Sequence, residues 1–189
     1  MKEVIAVFGS SQITPGTSQY RDAMQLGILL ARAGAAVATG GYGGAMEAVS
    51  RGAAETGGRV IGVTAPSVFP HRSGHNQWVA EVITSNTISE RIHRLIDLAD
   101  GFVALPGSLG TFTELVVAWN DRYVAPMASA AAKPLVVVGD GWVRMIAAVS
   151  AGLGVADPGI VAAGDASSAA AEILAALRPS AVPTDTSDR

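Results

Sequence analysis

The chain has 189 residues, 49% of them hydrophobic and only 15% charged, which suits one domain with a sizeable core and apolar surface left for helix-covered sheets or a dimer interface. A net charge of −3, with no basic stripe interleaved with aromatics, argues against nucleic acid as a partner and leaves free nucleotides open. The lack of cysteine excludes disulfides and thiolate chemistry and fits a reducing cytoplasm. With no signal-peptide pattern after Met1-Lys2-Glu3 and no apolar run long enough for a bilayer, a soluble cytoplasmic protein without a membrane partner is expected.

Val4 to Phe8 is an apolar run closed by Gly9-Ser10-Ser11, hence a buried first strand whose loop opens at the carboxyl edge of a sheet. Ser10 and Ser11 are candidate donors to phosphate or ribose, or else turn and capping residues. An amphipathic helix over residues 18–33 stops at Gly34, and a second short strand covers 35–39. Gly40-Gly41-Tyr42-Gly43-Gly44-Ala45-Met46-Glu47 is a glycine-rich loop that opens a helix running to Thr56. It is not a dinucleotide fingerprint, because it follows the second strand and lacks the third glycine of G-x-G-x-x-G, and with no G-K-[ST] ending it is not an ATPase P-loop.

A third strand over 59–64 leads into a loop with Pro66, Pro70, His71, Gly74 and His75, expected to serve as a lid, a base-contacting loop or a solvated connection. No carboxylate accompanies the two histidines at a ligand spacing, so no metal is expected. Residues 81–84 read as a fourth strand, and Thr87-x-x-Glu90 as a capping box starting a helix that runs to Ala99. Ile88, Ile92, Leu95, Ile96 and Leu98 give that helix an apolar face, while Arg91 and Arg94 share another side.

Gly101 to Leu105 is the next buried strand, and Phe112, Leu115, Val116 and Trp119 recur at helical spacing after it. The turn between, Pro106-Gly107-Ser108-Leu109-Gly110-Thr111, therefore places unpaired helix amides and the positive end of a helix dipole beside glycines that let a ligand approach. A phosphate suits that place; the competing reading makes Thr111-x-x-Glu114 a capping box and nothing more. A strand over 133–138, a helix over 142–150, a short edge strand over 160–163 and a helix over 166–177 complete a single domain spanning residues 1–178. The tail over 179–189, rich in Pro, Ser, Thr and Asp, is expected to be disordered. Alternation of strand and helix implies a Rossmann-like α/β fold, a doubly wound parallel sheet with ligands at the carboxyl ends of its strands.

Pro106 to Glu114 resembles the P-G-G-x-G-T-x-x-E signature of the LOG ("lonely guy") family, once labelled lysine decarboxylases, whose characterised members are nucleoside 5'-monophosphate phosphoribohydrolases. Ser108 stands where the family usually has glycine, residues 40–46 are a shortened form of its G-G-G-x-x-G-x-M segment, and Ser89-Glu90-Arg91 lies where it has H-E-R or similar. The resemblance implies hydrolysis of an N-glycosidic bond, in a cytokinin riboside 5'-monophosphate or AMP, to free base and ribose 5-phosphate. Such a site needs donors for the phosphate and a carboxylate near the anomeric carbon, where positive charge develops as the base departs.

The resemblance assigns Arg91 and Glu114 to catalysis. The residues and the resemblance together make Gly9, Ser10, Ser11, Gly40, Gly41, Gly43, Gly44 and Met46 on one side, and Pro106, Gly107, Ser108, Gly110 and Thr111 on the other, candidates for phosphate or nucleotide binding, with Glu47 and Arg94 as further candidates. The group that protonates the leaving base stays open among His71, His75, Tyr42 and water. A homodimer is implied and no cofactor is called for. The old decarboxylase label fails on the sequence, since pyridoxal chemistry needs a pocket lysine and the chain has only Lys2 and Lys133. A non-catalytic carrier of a nucleotide or of the molybdenum cofactor is the alternative, kept open by Ser108, Thr113 and the shortened first loop.

Overall fold

The structure is a computed structural model describing residues 2–72, 74–155 and 159–178. Seven strands, β1 (Val4–Phe8), β2 (Ala36–Thr39), β3 (Val60–Thr64), β4 (Glu81–Thr84), β5 (Gly101–Ala104), β6 (Leu135–Val138) and β7 (Val161–Ala163), form one sheet in the order β4-β3-β2-β1-β5-β6-β7. Every pairing is parallel. The five inner strands are buried along their whole length, which is why their sequences are unbroken apolar runs, whereas β4 and β7 at the edges are largely exposed.

Among the described residues six helices cover the two faces: α1 (Ser18–Arg32), α2 (Ala45–Glu55), α3 (Ile88–Leu98), α4 (Leu109–Val124), α5 (Asp140–Leu153) and α6 (Ala166–Leu177). Side chains alternate along each strand, so Ile5 and Val7 point to a core shared with α1, α2 and α6, while Ala6 and Phe8 point to one shared with α3, α4 and α5. On the first face α1 and α2 approach through glycines: a Cβ at Gly27 would overlap the Val49 carbonyl, and one at Gly52 the Met24 carbonyl. The chain runs outward from β1 to β4, then α3 carries it back across the other face to β5, beside β1. That reversal leaves a crevice beyond the carboxyl ends of β1 and β5, the place where open α/β sheets bind ligands.

The expected elements are all present, with ends that move by up to three residues, as at α5. A 3-10 turn, Ala125–Ala128, extends α4, which the helical spacing alone does not show. Ile88, expected on the apolar face of α3, is exposed. The expected disordered tail lies outside the described residues. Among those residues no helix is long and apolar enough to cross a membrane.

The competing reading of the central turn, a capping box at Thr111-x-x-Glu114, fails. Helix α4 begins at Leu109 with Ser108 as its N-cap, so Thr111 and Glu114 are helix-interior residues and form no capping box. Thr87 does cap α3, accepting from Glu90 N at 3.0 Å, but the Glu90 carboxylate accepts from Asn86 N at 2.7 Å, one residue earlier than a standard box.

Candidate functional site

The loop after β1 ties the crevice together: Ser10 N donates to the Pro106 carbonyl at 3.3 Å, and Ser10 O accepts from Ala45 N, the first residue of α2, at 2.8 Å. A Cβ at Gly9 would stand 2.6 Å from the Ala45 Cβ, so the close seating of α2 on this loop requires glycine there. On the other side Ser108 gives α4 no side-chain cap, and the first-turn amides of Leu109, Gly110 and Thr111 have no intrahelical partner. Thr111 is buried over Gly107, where a Cβ would overlap its hydroxyl oxygen.

Arg91, in the first turn of α3, turns inward and is only 5% exposed. Its Nε donates to the Val63 carbonyl at 2.8 Å and its Nη1 to Glu114 Oε1 at 3.2 Å, while Nη2 lies 3.8 Å from Met46 Sδ. Gly40 makes room for it, since a Cβ at that position would overlap Nη2. Burial pushes the Glu114 carboxyl above its ordinary value, and the Arg91 charge and hydrogen bond pull it back down only in part. The pair is thus a nearly desolvated carboxylate whose one charged partner is a guanidinium held by backbone and packing.

Glu114, Arg91, Met46, Gly110, Thr111 and Thr113 line a cavity of about 270 Å³, together with Gly9, Ser11 and Ser108. A second, polar cavity of about 390 Å³ adjoins it, sharing Ser11 and Arg72, and is lined by Tyr42, Gly43, Glu47, His71, His75 and Asn76. The histidines that sequence left between lid and solvent therefore face a cavity next to the Arg91–Glu114 pair. Glu47 Oε1 accepts from the Tyr20 hydroxyl at 3.2 Å.

Not every residue expected here arrives. Arg94 points away and pairs with Glu90 at 2.7 Å, leaving the crevice to Arg91, because one arginine bends into the core and the other stays in solvent. Gly40, Gly41 and Gly44 serve packing: Gly41 O accepts from Asn76 N at 2.7 Å, and Gly44, at φ 74°, is the N-cap of α2 where a Cβ would overlap the Ser10 carbonyl. Pro106 and Gly107 open instead onto an apolar groove with Phe112, Val138, Trp142 and Met145, which meets the Glu114 cavity at Ser108. Sequence reasoning missed Phe69 and Arg72, which sit in the irregular connection between β3 and β4, where no periodicity marks a residue as inward-facing.

A protein of Mycobacterium tuberculosis named cytokinin riboside 5'-monophosphate phosphoribohydrolase is 36% identical over 122 residues, covering 60% of this chain and 62% of the relative. The Arabidopsis thaliana enzyme of the same name, LOG2, is 35% identical over 119 residues, covering 61% and 55%. The chain thus matches less than two thirds of the length of these curated relatives. Among solved structures, the molybdenum cofactor binding protein of Rippkaea orientalis superposes with a TM-score of 0.74 at 26% identity, over 93% of this chain and 97% of that one. The molybdenum cofactor carrier protein of Chlamydomonas reinhardtii does so with 0.72 at 25% identity, over 94% and 99%. The resemblance to the LOG family is borne out by the relatives of that name. Residues 2–140, which hold Arg91, Glu114 and both glycine-rich loops, match the model of the SLOG cluster4 family, and the chain belongs to that family.

Proposed function

We propose that the crevice binds a nucleoside 5'-monophosphate and hydrolyses its N-glycosidic bond. The observation that supports this most is the buried Arg91–Glu114 pair lining one cavity with the uncapped first turn of α4. The phosphate accepts from the amides of Gly110 and Thr111, which sets the ribose against Glu114. As the C1'–N bond breaks, its electron pair leaves with the base and positive charge grows on the ribose ring; the ionised Glu114 stabilises that charge and orients a water whose oxygen bonds to C1'. The water proton passes to Glu114 or solvent, and the base takes up one proton, for which Tyr42, His71 and His75 are candidates beside bulk water. Arg91 favours the ionised form of Glu114 against the cost of burial and holds the carboxylate in place.

A homodimer is part of the proposal, because α4 and the turn after it expose Leu109, Val116, Tyr123 and Met127. An interface there should bury more than about 1,000 Å², and a dimeric mass by light scattering at micromolar concentration checks it. The cysteine-free sequence suits a cytoplasmic setting.

The second reading is a carrier of the molybdenum cofactor. What favours it is that two carrier structures superpose over more than 90% of this chain, with TM-scores of 0.74 and 0.72. Incubating the protein with purine, pyrimidine and N6-modified nucleoside monophosphates and following free base by chromatography separates the two. Release of base from any of them supports the hydrolase; tight binding without release from all of them overturns it.

A further inference from the structure

Arg72 is a charge in the crevice that no carboxylate among the described residues balances. It is half-buried and lines both the cavity of Glu114 and the adjoining polar one. Its guanidinium lies 4.3 Å from the Phe69 ring centroid and 4.6 Å from that of Tyr42, the two rings that also flank Arg91 at 5.8 Å. Two guanidinium groups thus share one aromatic pair. Arg91 has Glu114, whereas among the described residues no carboxylate pairs with Arg72 and its guanidinium makes no hydrogen bond. The remaining carboxylate nearby, Glu47, faces the polar cavity and is engaged by Tyr20.

The segment that carries Arg72 is pinned on both sides. Phe69 N donates to the Ala65 carbonyl at 3.1 Å and Arg72 N to the Phe69 carbonyl at 3.0 Å, while Asn76 bonds Gly41 and Tyr42 through its backbone and side-chain amides. An unpaired cation held in place beside another cation is a cost to the empty protein, which the rings offset only in part. Burial and the neighbouring Arg91 both push the Arg72 guanidinium below its ordinary value. An anion in the cavity would relieve that repulsion and take the five donors of a planar fork.

We propose that Arg72 is the phosphate-pairing residue of this crevice, closing on the side of the ligand phosphate that the α4 amides leave open. The inference rests on the ligand being a phosphate ester, as the proposed function requires, and goes beyond it by placing the discrimination between nucleotide and nucleoside in a residue of the β3–β4 connection. Arg72 is then a binding residue: its loss weakens capture of the phosphate and leaves the Arg91–Glu114 pair intact.

The experiment compares wild type, Arg72→Gln and Arg72→Lys by calorimetry with AMP, adenosine and inorganic phosphate as separate probes, with thermal melting alongside. For Arg72→Gln the expected result is a roughly ten- to hundredfold loss of AMP affinity, the scale of one charged hydrogen-bonding partner. Adenosine affinity and melting temperature should not fall, and Arg72→Lys should recover part of the AMP affinity. Equal AMP affinity in wild type and Arg72→Gln overturns the assignment while leaving the nucleotide reading untouched. If wild type ignores AMP but binds inorganic phosphate in an Arg72-dependent way, the assignment stands and the nucleotide reading falls. If neither probe binds wild type, both fall.

Discussion

Gly40 to Gly44 and Gly107 to Gly110 look alike in sequence: each joins a buried inner strand to a helix, and neither helix has a side-chain cap. Their surroundings differ. In the first loop the space that a side chain would take is full of protein at three of the four glycines, with Arg91 and Met46 against Gly40, Thr64 and Gly62 against Gly41, and the Ser10-Ser11 backbone against Gly44, while Gly43 faces the polar cavity with only Glu47 Oε2 at 3.8 Å. In the second, Gly107 yields to Thr111, but Gly110 has nothing within 4 Å of where its Cβ would be. Glycine richness alone therefore does not mark a ligand loop. The first loop uses its glycines to seat an arginine and a helix; the second leaves open space at a helix start that carries Glu114 one turn further on.

The largest effect expected from this division is at Glu114. Glu114→Gln keeps an oxygen to accept from Arg91 but removes the charge, and since no capping box exists, capping cannot account for any loss. Base release should fall by roughly a hundredfold or more, the scale of removing one electrostatic stabiliser. The fold should persist without a large loss of stability, because burial already disfavours the charge at Glu114 and Arg91 retains its bond to the Val63 carbonyl. Near-normal turnover by the variant, measured beside its melting curve, would sink the catalytic role.

Next is Gly40→Ala, which tests whether the first loop acts through packing. The new methyl would overlap Arg91 Nη2 and stand 2.6 Å from Met46 Sδ, so the guanidinium must shift off Glu114. Overpacking of this kind costs about 1–3 kcal/mol, and displacement of a group positioned for catalysis lowers turnover roughly ten- to hundredfold. Both losses should appear together. A variant that melts like wild type and cleaves like wild type would remove the seating role of Gly40.

The raised Glu114 carboxyl gives a pH signature with opposite signs in two measurements. A folded-state value above the unfolded one means that the fold favours the neutral acid, so this contribution to stability is fully present below the unfolded value, near 4.5, and is lost as pH rises through the folded value. Wild type should therefore lose stability relative to Glu114→Gln as pH increases above about 4.5. Base release needs the ionised form, so its acid limb should rise through that same folded-state titration, above the ordinary carboxylate range. Denaturant midpoints and kcat/KM across pH check the pair; an acid limb at or below 4.5 would contradict it.

Much of this molecule was legible in the sequence because parallel strands buried on both faces must be apolar throughout, and a helix start such as Thr87 carries its cap locally. The residues that the structure separates from expectation are those whose role depends on what lies across the crevice. Arg91 and Arg94 share a helix and a charge, yet only Arg91 meets Val63 and Glu114, residues far away in the chain. Thr111-x-x-Glu114 fits a capping pattern that the actual helix start, two residues before Thr111, makes void. Arg72 lies in an irregular connection, so nothing in its local sequence shows that it faces a cavity. The order Arg91, glycine loop, Glu114 was found by family resemblance, which encodes such contacts without deriving them.

The smallest effect expected is at Gly110, and it bears most directly on the contrast between the loops. Alanine in the first turn of α4 would place its methyl in open space and should raise stability slightly, by a few tenths to about 1 kcal/mol, since alanine is the better helix former. If that space belongs to the protein alone, nothing else changes. If it is where a phosphate lies against the helix amides, the methyl intrudes on the ligand, and AMP affinity should drop several-fold, roughly 1 kcal/mol, while adenosine affinity holds. The decisive result is opposite movement of the two readouts, a higher melting temperature with weaker nucleotide binding, measured on one preparation by calorimetry and thermal melting. Gly110→Ala with unchanged AMP affinity would mean that the open loop is as structural as the filled one, and the difference between them would be one of shape without function.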